Sequence, residues 1–319
     1  MTDRWDCLCA GIIVADQVCE PIVAIPPAGG LSLTPRLTFT IGGCAANVAV
    51  DLVKLGLRVG VSGCVGTDLF GRALADLLTT AGVDCTGLSA RPEQPTSGTF
   101  VINVQGEDRR FIHCVGANAL YDGTQITDAD LARTRVLYVG GYCLLETLTP
   151  ARVSELFQRA RAAGVTTMLD VVVGSRAACW EWVAPVLPWT DVFLPNHDEA
   201  TVIAGGTDPW EQARRFRAAG CGTVMITCGA DGAIYDGPAG RCRVGTFPVT
   251  AVDPTGTGDA FVAGYVYGLL KGHSPAACLK YGSALGASCV QAIGATTGVF
   301  HAAELESFVA SHSLIVEEW

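Results

Sequence analysis

The chain has 319 residues, half of them hydrophobic and 16% charged, which suits one large domain or a core with a small appendage and excludes disorder. A net charge of −10, only three lysines (Lys54, Lys271 and Lys280) and no basic run argue against nucleic-acid or anionic-membrane partners. No apolar run reaches the ~18 residues of a membrane span. Residues 1–6 lack the basic and small-residue marks of a signal peptide, so a cytoplasmic location is expected. Fourteen scattered cysteines without a C-x-x-C pair fit small buried apolar residues in a reducing compartment better than a disulfide or zinc framework.

Residues 6–15 read as one buried strand ending at Asp16. That carboxylate lies beyond a strand end, where open α/β sheets collect ligands, although an ordinary turn aspartate is the plainer alternative. Residues 17–40, with Pro21, Pro26, Pro27 and Pro35, break the βα rhythm but hold short β-like runs at 21–25 and 37–41. Runs at 98–104 and 110–115 flank a polar turn at 105–108, a hairpin signal. Between these pieces, Gly42 and Gly43 precede a helix that buries Ala45, Val48, Ala49, Leu52 and Val53 and stops at Gly56. The glycines admit a ligand close to the backbone, and Asn47 offers one donor group and one acceptor. Plain helix-start glycines, with Asn47 bonded to backbone, are the alternative. A strand at 59–65 then runs into Gly66-Thr67-Asp68, which reads mainly as a helix start.

Beyond residue 134 the alternation is regular, with strands at 136–139, 166–169 and 192–194 and a helix at 150–163. This rhythm predicts a parallel sheet covered on both faces. Asp170 opens a segment in which Arg176 is either an anion contact or a solvated arginine. Asn196 and Glu199, three apart, share one helical face and also form a capping-box pattern. Thr227, Gly229 and Gly232 mark a strand, a tight turn and a second strand. The densest signal is Asp253-Pro254-Thr255-Gly256-Thr257-Gly258-Asp259, ahead of a helix with Val262, Tyr265, Val266, Leu269 and Leu270 on one face. Unpaired N–H groups and the positive dipole end at such a start attract anions. Asp259 beside them is either a favourable cap or a general base, taking a hydroxyl proton while the backbone holds a phosphoryl group. Neither a P-loop nor a strand-linked G-x-G-x-x-G competes.

In this order the motifs resemble those of the PfkB (ribokinase-like) carbohydrate kinases. Residues 253–259 are similar to that family's D-T-x-G-A-G-D, with Pro254 and Thr257 in place of two common residues. Residues 42–49 are similar to its G-G followed by N-x-A, 66–71 to G-x-D-x-x-G, 116–118 to G-A-N, 196–199 to N-x-x-E and 227–232 to T-x-G-x-x-G. The resemblance implies an α/β fold: a three-layer α/β/α ribokinase-like core with a mainly parallel sheet, from residues 1–16, 41–96 and 116–319. It also implies a small β-sheet lid, from 17–40 and 97–115, that closes over substrate and excludes water.

The same resemblance implies Asp259 as base and the backbone of Gly256, Thr257 and Gly258 as anion hole. It puts Asp16, Gly42, Gly43, Asn47 and Asn118 on the substrate, and Asn196, Thr227, Gly229 and Gly232 on ATP. Glu199 would hold Mg²⁺ through water, and Asp253 and Thr255 would offer oxygens to a monovalent cation such as K⁺, near the loop at 294–298. The reaction expected is transfer of the ATP γ-phosphoryl group to a hydroxyl of a small sugar, ribose- or ketohexose-like. An uncharged sugar is expected because the lid offers mainly Arg109 and Arg110 as cations. A nucleoside kinase using Phe100 and Phe111 as a stacking surface is the alternative, and a non-catalytic sugar sensor a more distant one. Pairing of two lids into a homodimer is also expected. Cys44 stands where some relatives carry lysine or asparagine, which leaves the sugar open.

Overall fold

The computed structural model describes residues 4–107, 109–174 and 179–319. The chain opens with β1 (Trp5–Gly11), β2 (Val14–Ile22), β3 (Leu37–Gly42), α1 (Cys44–Lys54), β4 (Val59–Gly66), α2 (Leu69–Thr80) and β5 (Asp84–Arg91). A hairpin of β6 (Gly98–Val104) and β7 (Arg110–Cys114) follows, then α3 (Asp128–Ala132), β8 (Thr134–Gly140), α4 (Pro150–Ala162), β9 (Thr166–Leu169) and α5 (Cys179–Val183). Next come β10 (Val192–Phe193), α6 (His197–Ala204), α7 (Pro209–Ala218), β11 (Thr223–Thr227), β12 (Ala233–Gly237) and β13 (Gly240–Val244). The chain closes with α8 (Thr257–Leu270), α9 (Pro275–Cys289), α10 (Ala302–Ser311) and β14 (Val316–Glu318).

Ten strands make one sheet in the order β14-β13-β12-β11-β10-β9-β8-β1-β4-β5. It is parallel from β11 to β5 and antiparallel at the β11 to β14 edge. Its faces are covered separately, and β1 shows why the apolar run is continuous. Cys7 and Cys9 pack into the core beneath α1, α8 and α9, while Leu8 and Ala10 pack into the opposite one beneath α4 and α7. A smaller sheet, ordered β3-β2-β6-β7, carries the rest, with β2 and β6 parallel and the outer pairs antiparallel.

Two expectations change here. The single strand expected at 6–15 is two strands in two sheets. β1 stops at Gly11, whose φ of 133° and contact with the Gly140 carbonyl (2.1 Å from an ideal Cβ) admit no side chain, and β2 begins in the smaller sheet at Val14. Asp16 therefore lies within β2, not at the end of a core strand. An unbroken apolar run does not reveal that the chain changes sheets within it. Nor does α8 have one apolar face: residues 260–268 are buried all round. Gly264 and Gly268, one turn apart, let α9 approach its backbone at Tyr281 and Cys278. No described helix is long and apolar enough to cross a membrane.

Candidate active site

The start of α8 is shaped by backbone. Gly256 caps it at φ 76°, and an added Cβ would sit 2.3 Å from the Ala295 carbonyl, so only glycine fits. Gly258 has nothing within 4 Å of an ideal Cβ and lines both cavities described below. A helix start leaves N–H groups without intrahelical partners, and at Gly258 the approach to them is open. Thr257 departs from the expected donor set, because its N–H donates to the Pro254 carbonyl at 3.3 Å.

Asp259, in the first turn, points into a cavity of about 170 Å³ lined also by Cys44, Asp170, Asn196, Glu199, Gly256 and Gly258. Its Oδ2 accepts a hydrogen bond from Asn47 Nδ2 at 2.8 Å. Burial raises its pKa, and hydrogen bonds from Asn47 and the Cys44 thiol offset part of that rise. The ligating atoms of Cys44, Asp170 and Asp259 lie within 4.8 Å of one another. Asp170, just past β9, accepts from Tyr138 Oη at 2.7 Å and from the Val171 N–H at 2.8 Å. Burial and the charges of Glu199 and Asp259 nevertheless hold its carboxyl well above the usual range. Glu199 is pushed up to about 7, first by burial, against hydrogen bonds from the Asn196 and Val173 N–H groups and with added repulsion from Asp259. Glu199 and Asn196 form the reciprocal capping box of α6. They face the cavity and also build the helix start, so the two sequence readings coexist.

On the smaller sheet, Asp16 of β2 pairs in register with Thr99 of β6. Burial drives its carboxyl up to about 7, the Thr99 hydrogen bond lowers it, and the charge of Asp259 adds to the rise. Gly42 makes room for it, since a Cβ there would meet Asp16 Oδ2 at 2.0 Å. Gly43, at φ 88°, caps α1 and leans on the Ile12 carbonyl. Asn47 is 4% exposed, and its Oδ1 has no partner. The Asn118 amide accepts from the Ile13 N–H at 3.2 Å and donates to the Ile13 carbonyl at 3.0 Å, so it pins the β1–β2 crossing, and the residue is 1% exposed.

A second cavity, of about 700 Å³, adjoins the first and shares Asn196, Thr227, Gly258 and Phe261 with it. Thr227, Gly229 and Gly232 line one side, and Phe247, Val249, Ala287 and Val290 give it an apolar wall. Gly232, at φ 86°, abuts the Val244 carbonyl and is confined to glycine, whereas the space around Gly229 is open.

Asp253 and Thr255 lie in the loop before α8. Arg109, from the β6–β7 connection, donates through Nη1 to Asp253 Oδ1 at 3.3 Å and to Thr255 Oγ1 at 2.9 Å. Arg176 lies outside the described residues. Sequence reasoning did not place Cys44, Tyr138, Thr99 or Arg109 at the site. Each arrives through a long-range contact, and in advance Cys44 was marked only as a departure from a familiar motif and Arg109 only as one of the lid's cations.

Two unequal cavities thus meet at Gly258 beside a recessed carboxylate, with room for two ligands side by side. The family profile of the pfkB carbohydrate kinases matches residues 6–302. The chain is 32% identical over 291 residues to the aminoimidazole riboside kinase of Salmonella typhimurium, covering 86% of this chain and 89% of the relative. It is 28% identical over 298 residues to the ribokinase of Haemophilus influenzae, covering 91% and 93%. An Arabidopsis thaliana ribokinase solved with ribose and ATP superposes with a TM-score of 0.83 at 22% identity, covering 97% of this chain and all of that one. The chain belongs to the pfkB family of carbohydrate kinases, phosphotransferases that act on sugar hydroxyls.

Proposed function

We propose that this enzyme transfers the γ-phosphoryl group of ATP to a hydroxyl of a small uncharged sugar, with Asp259 as general base. The observation that carries the reading is the position of Asp259 and Gly258. The carboxylate faces the small cavity, and the open helix start beside it is shared with the larger one. ATP occupies the 700 Å³ cavity, its adenine against the apolar wall and its phosphates toward Gly258. The acceptor occupies the smaller cavity, which lies below the ~300–1,000 Å³ of sites for larger ligands and suits a five- or six-carbon polyol. Among the described residues no lysine or arginine lines it, which disfavours a phosphorylated acceptor.

Neither Asp16 nor Asn47 lines that cavity: Asn47 Nδ2 holds the base in place, and Asp16, near enough for the charge of Asp259 to raise its carboxyl, would reach acceptor hydroxyls from the side of the smaller sheet. Asp259 takes the proton of the attacking hydroxyl, and a pKa raised by burial brings a carboxylate nearer the value useful for that role around neutral pH. Backbone N–H groups at Gly258 stabilise the charge that develops on the phosphoryl oxygens. Three carboxyls, Asp170, Glu199 and Asp259, face one cavity and are all raised by burial, and the first two also by neighbouring negative charge. That set fits a divalent cation. Mg²⁺ would be held near Asn196 and Glu199, largely through water, and the chemistry it supplies is neutralisation of phosphate charge.

The similarity to a riboside kinase supports a second reading, in which the acceptor sugar carries a base. Pairing of two copies through β7, an edge strand with all five residues exposed, remains part of the proposal. The test is an ADP-release assay with Mg-ATP across plain sugars, sugar acids, phosphosugars and ribosides. Turnover confined to uncharged sugars or ribosides is the expected result. Turnover of phosphosugars alone, or ATP binding with silence across the panel, would contradict it.

A further inference from the structure

Membership of this family brings the expectation of a monovalent cation between the Asp253–Thr255 loop and the loop at 294–298, and the residues present do not fit one. Such a cation is held by oxygens that replace its hydration shell. Here those oxygens are engaged by groups of the chain itself. Asp253 Oδ1 accepts from the Thr255 N–H at 2.9 Å, from Thr255 Oγ1 at 2.6 Å and from Arg109 Nη1 at 3.3 Å. Its Oδ2 accepts from the Gly294 N–H at 2.9 Å. Thr255 Oγ1, having given its proton to Asp253, accepts from Arg109 at 2.9 Å. The carbonyls of Thr255 and Ala295 face the Cys289 thiol at 3.4 and 3.2 Å, and the Thr296 carbonyl accepts from the Lys54 ammonium. Two fixed cations of the protein, a guanidinium and an ammonium, thus sit on the two loops that would hold a mobile one.

We propose that Arg109 is a built-in counterion that takes the place of the monovalent cation, so that this enzyme needs no K⁺. Arg109 also lines the larger cavity, but the role proposed for it is that of a positioning residue, acting through the loop that leads into Gly256 and Gly258 and not on the phosphoryl group. The pair it makes with Asp253 is largely sheltered, at 21% and 7% side-chain exposure, so salt screens it less than a surface pair. Burial alone would raise the Asp253 carboxyl, but its bonds to Gly294, Thr255 and Arg109 outweigh that and hold it below its ordinary value, a carboxylate already neutralised by its partners. Since Arg109 stands on the connection between β6 and β7, the charge arrives with the smaller sheet, and the anion-binding turn is set when that sheet is in place.

The inference rests on the kinase reading, and its test separates the two. Rates of the wild type, Arg109→Gln and Arg109→Lys are compared in choline, Na⁺ and K⁺ salts at constant ionic strength, and thallium(I) binding is followed by NMR on protein without substrate. The wild type is expected to turn over equally in all three salts and to bind no thallium. Arg109→Gln should lose about tenfold in kcat in choline, the equivalent of one charge-assisted hydrogen bond. It should regain rate in K⁺ and bind thallium, while Arg109→Lys stays indifferent to K⁺. Activation of the wild type by K⁺, thallium binding to it, or an Arg109→Gln variant with full rate in choline would overturn the proposal. So would an Arg109→Gln variant whose only defect is a K⁺-insensitive rise in the KM for ATP, which would make Arg109 a phosphate ligand. Failure of the wild type to phosphorylate anything would count against the kinase reading alone, because thallium binding still reports on Arg109.

Discussion

The two ends of the site are built by different means. At the start of α8 the working groups are backbone, fixed by Gly256 at φ 76° and opened by the bare Cα of Gly258, on a helix buried all round. At the end proposed for the acceptor the groups are side chains. Asp16, Thr99 and the space left at Gly42 come from three strands of a smaller sheet whose outermost strand is fully exposed. Backbone N–H groups bind any phosphoryl donor in the same way and carry little specificity. Side chains on a separate sheet can be exchanged without disturbing that turn, and this is where members of one family can differ in acceptor.

The sharpest way to break the comparison is to remove the carboxylate and keep the turn. Asp259→Asn should retain the fold and nucleotide binding and lose about two or more orders of magnitude in kcat, the scale of a general base. Calorimetric titration with Mg-ATP beside a rate assay checks both halves. A variant that binds nucleotide and turns over normally would show that the backbone end suffices.

A smaller effect is expected at the other end, and it depends on pH. A carboxyl raised in the folded state contributes stability that is fully present below its unfolded pKa and is lost as pH rises through its folded value. For Asp16 that window runs from about 4, its unfolded value, to about 7. Asp16→Asn should therefore become more stable relative to the wild type between pH 5 and pH 8, by at most about 3 kcal/mol, since about two units of the window lie above pH 5 at ~1.4 kcal/mol per unit. Its KM for the acceptor should rise while that for ATP stays fixed. Denaturant unfolding at the two pH values reads the first expectation. A stability difference that does not change with pH would mean that Asp16 is ionised at no cost.

The same contrast explains what could be read from the sequence. Residues 253–259 and the start of α8 were legible because glycine spacing, helix pattern and carboxylate lie within a dozen residues. The capping box at Asn196 and Glu199 was legible for the same reason. The crossing between β1 and β2 was not, because both strands are apolar and the signal is a single positive-φ glycine, Gly11. The hydrogen bond from Asn47 to Asp259 spans 212 residues and that from Arg109 to Asp253 spans 144, so neither leaves a local pattern. The bonds of Asn118 to Ile13 were not legible either, because an amide bound to backbone and an amide waiting for substrate look alike in a motif.

The central claim is that Asp259, and not the neighbouring Asp170, receives the acceptor proton. A crystal structure with the acceptor identified by the assay, Mg²⁺ and a non-hydrolysable ATP analogue tests it most directly. The account predicts the reacting hydroxyl within ~2.6–3.2 Å of an Asp259 oxygen, with the γ-phosphoryl group against the Gly258 N–H. A hydroxyl bound instead to Asp170, with Asp259 still paired only to Asn47, would contradict it.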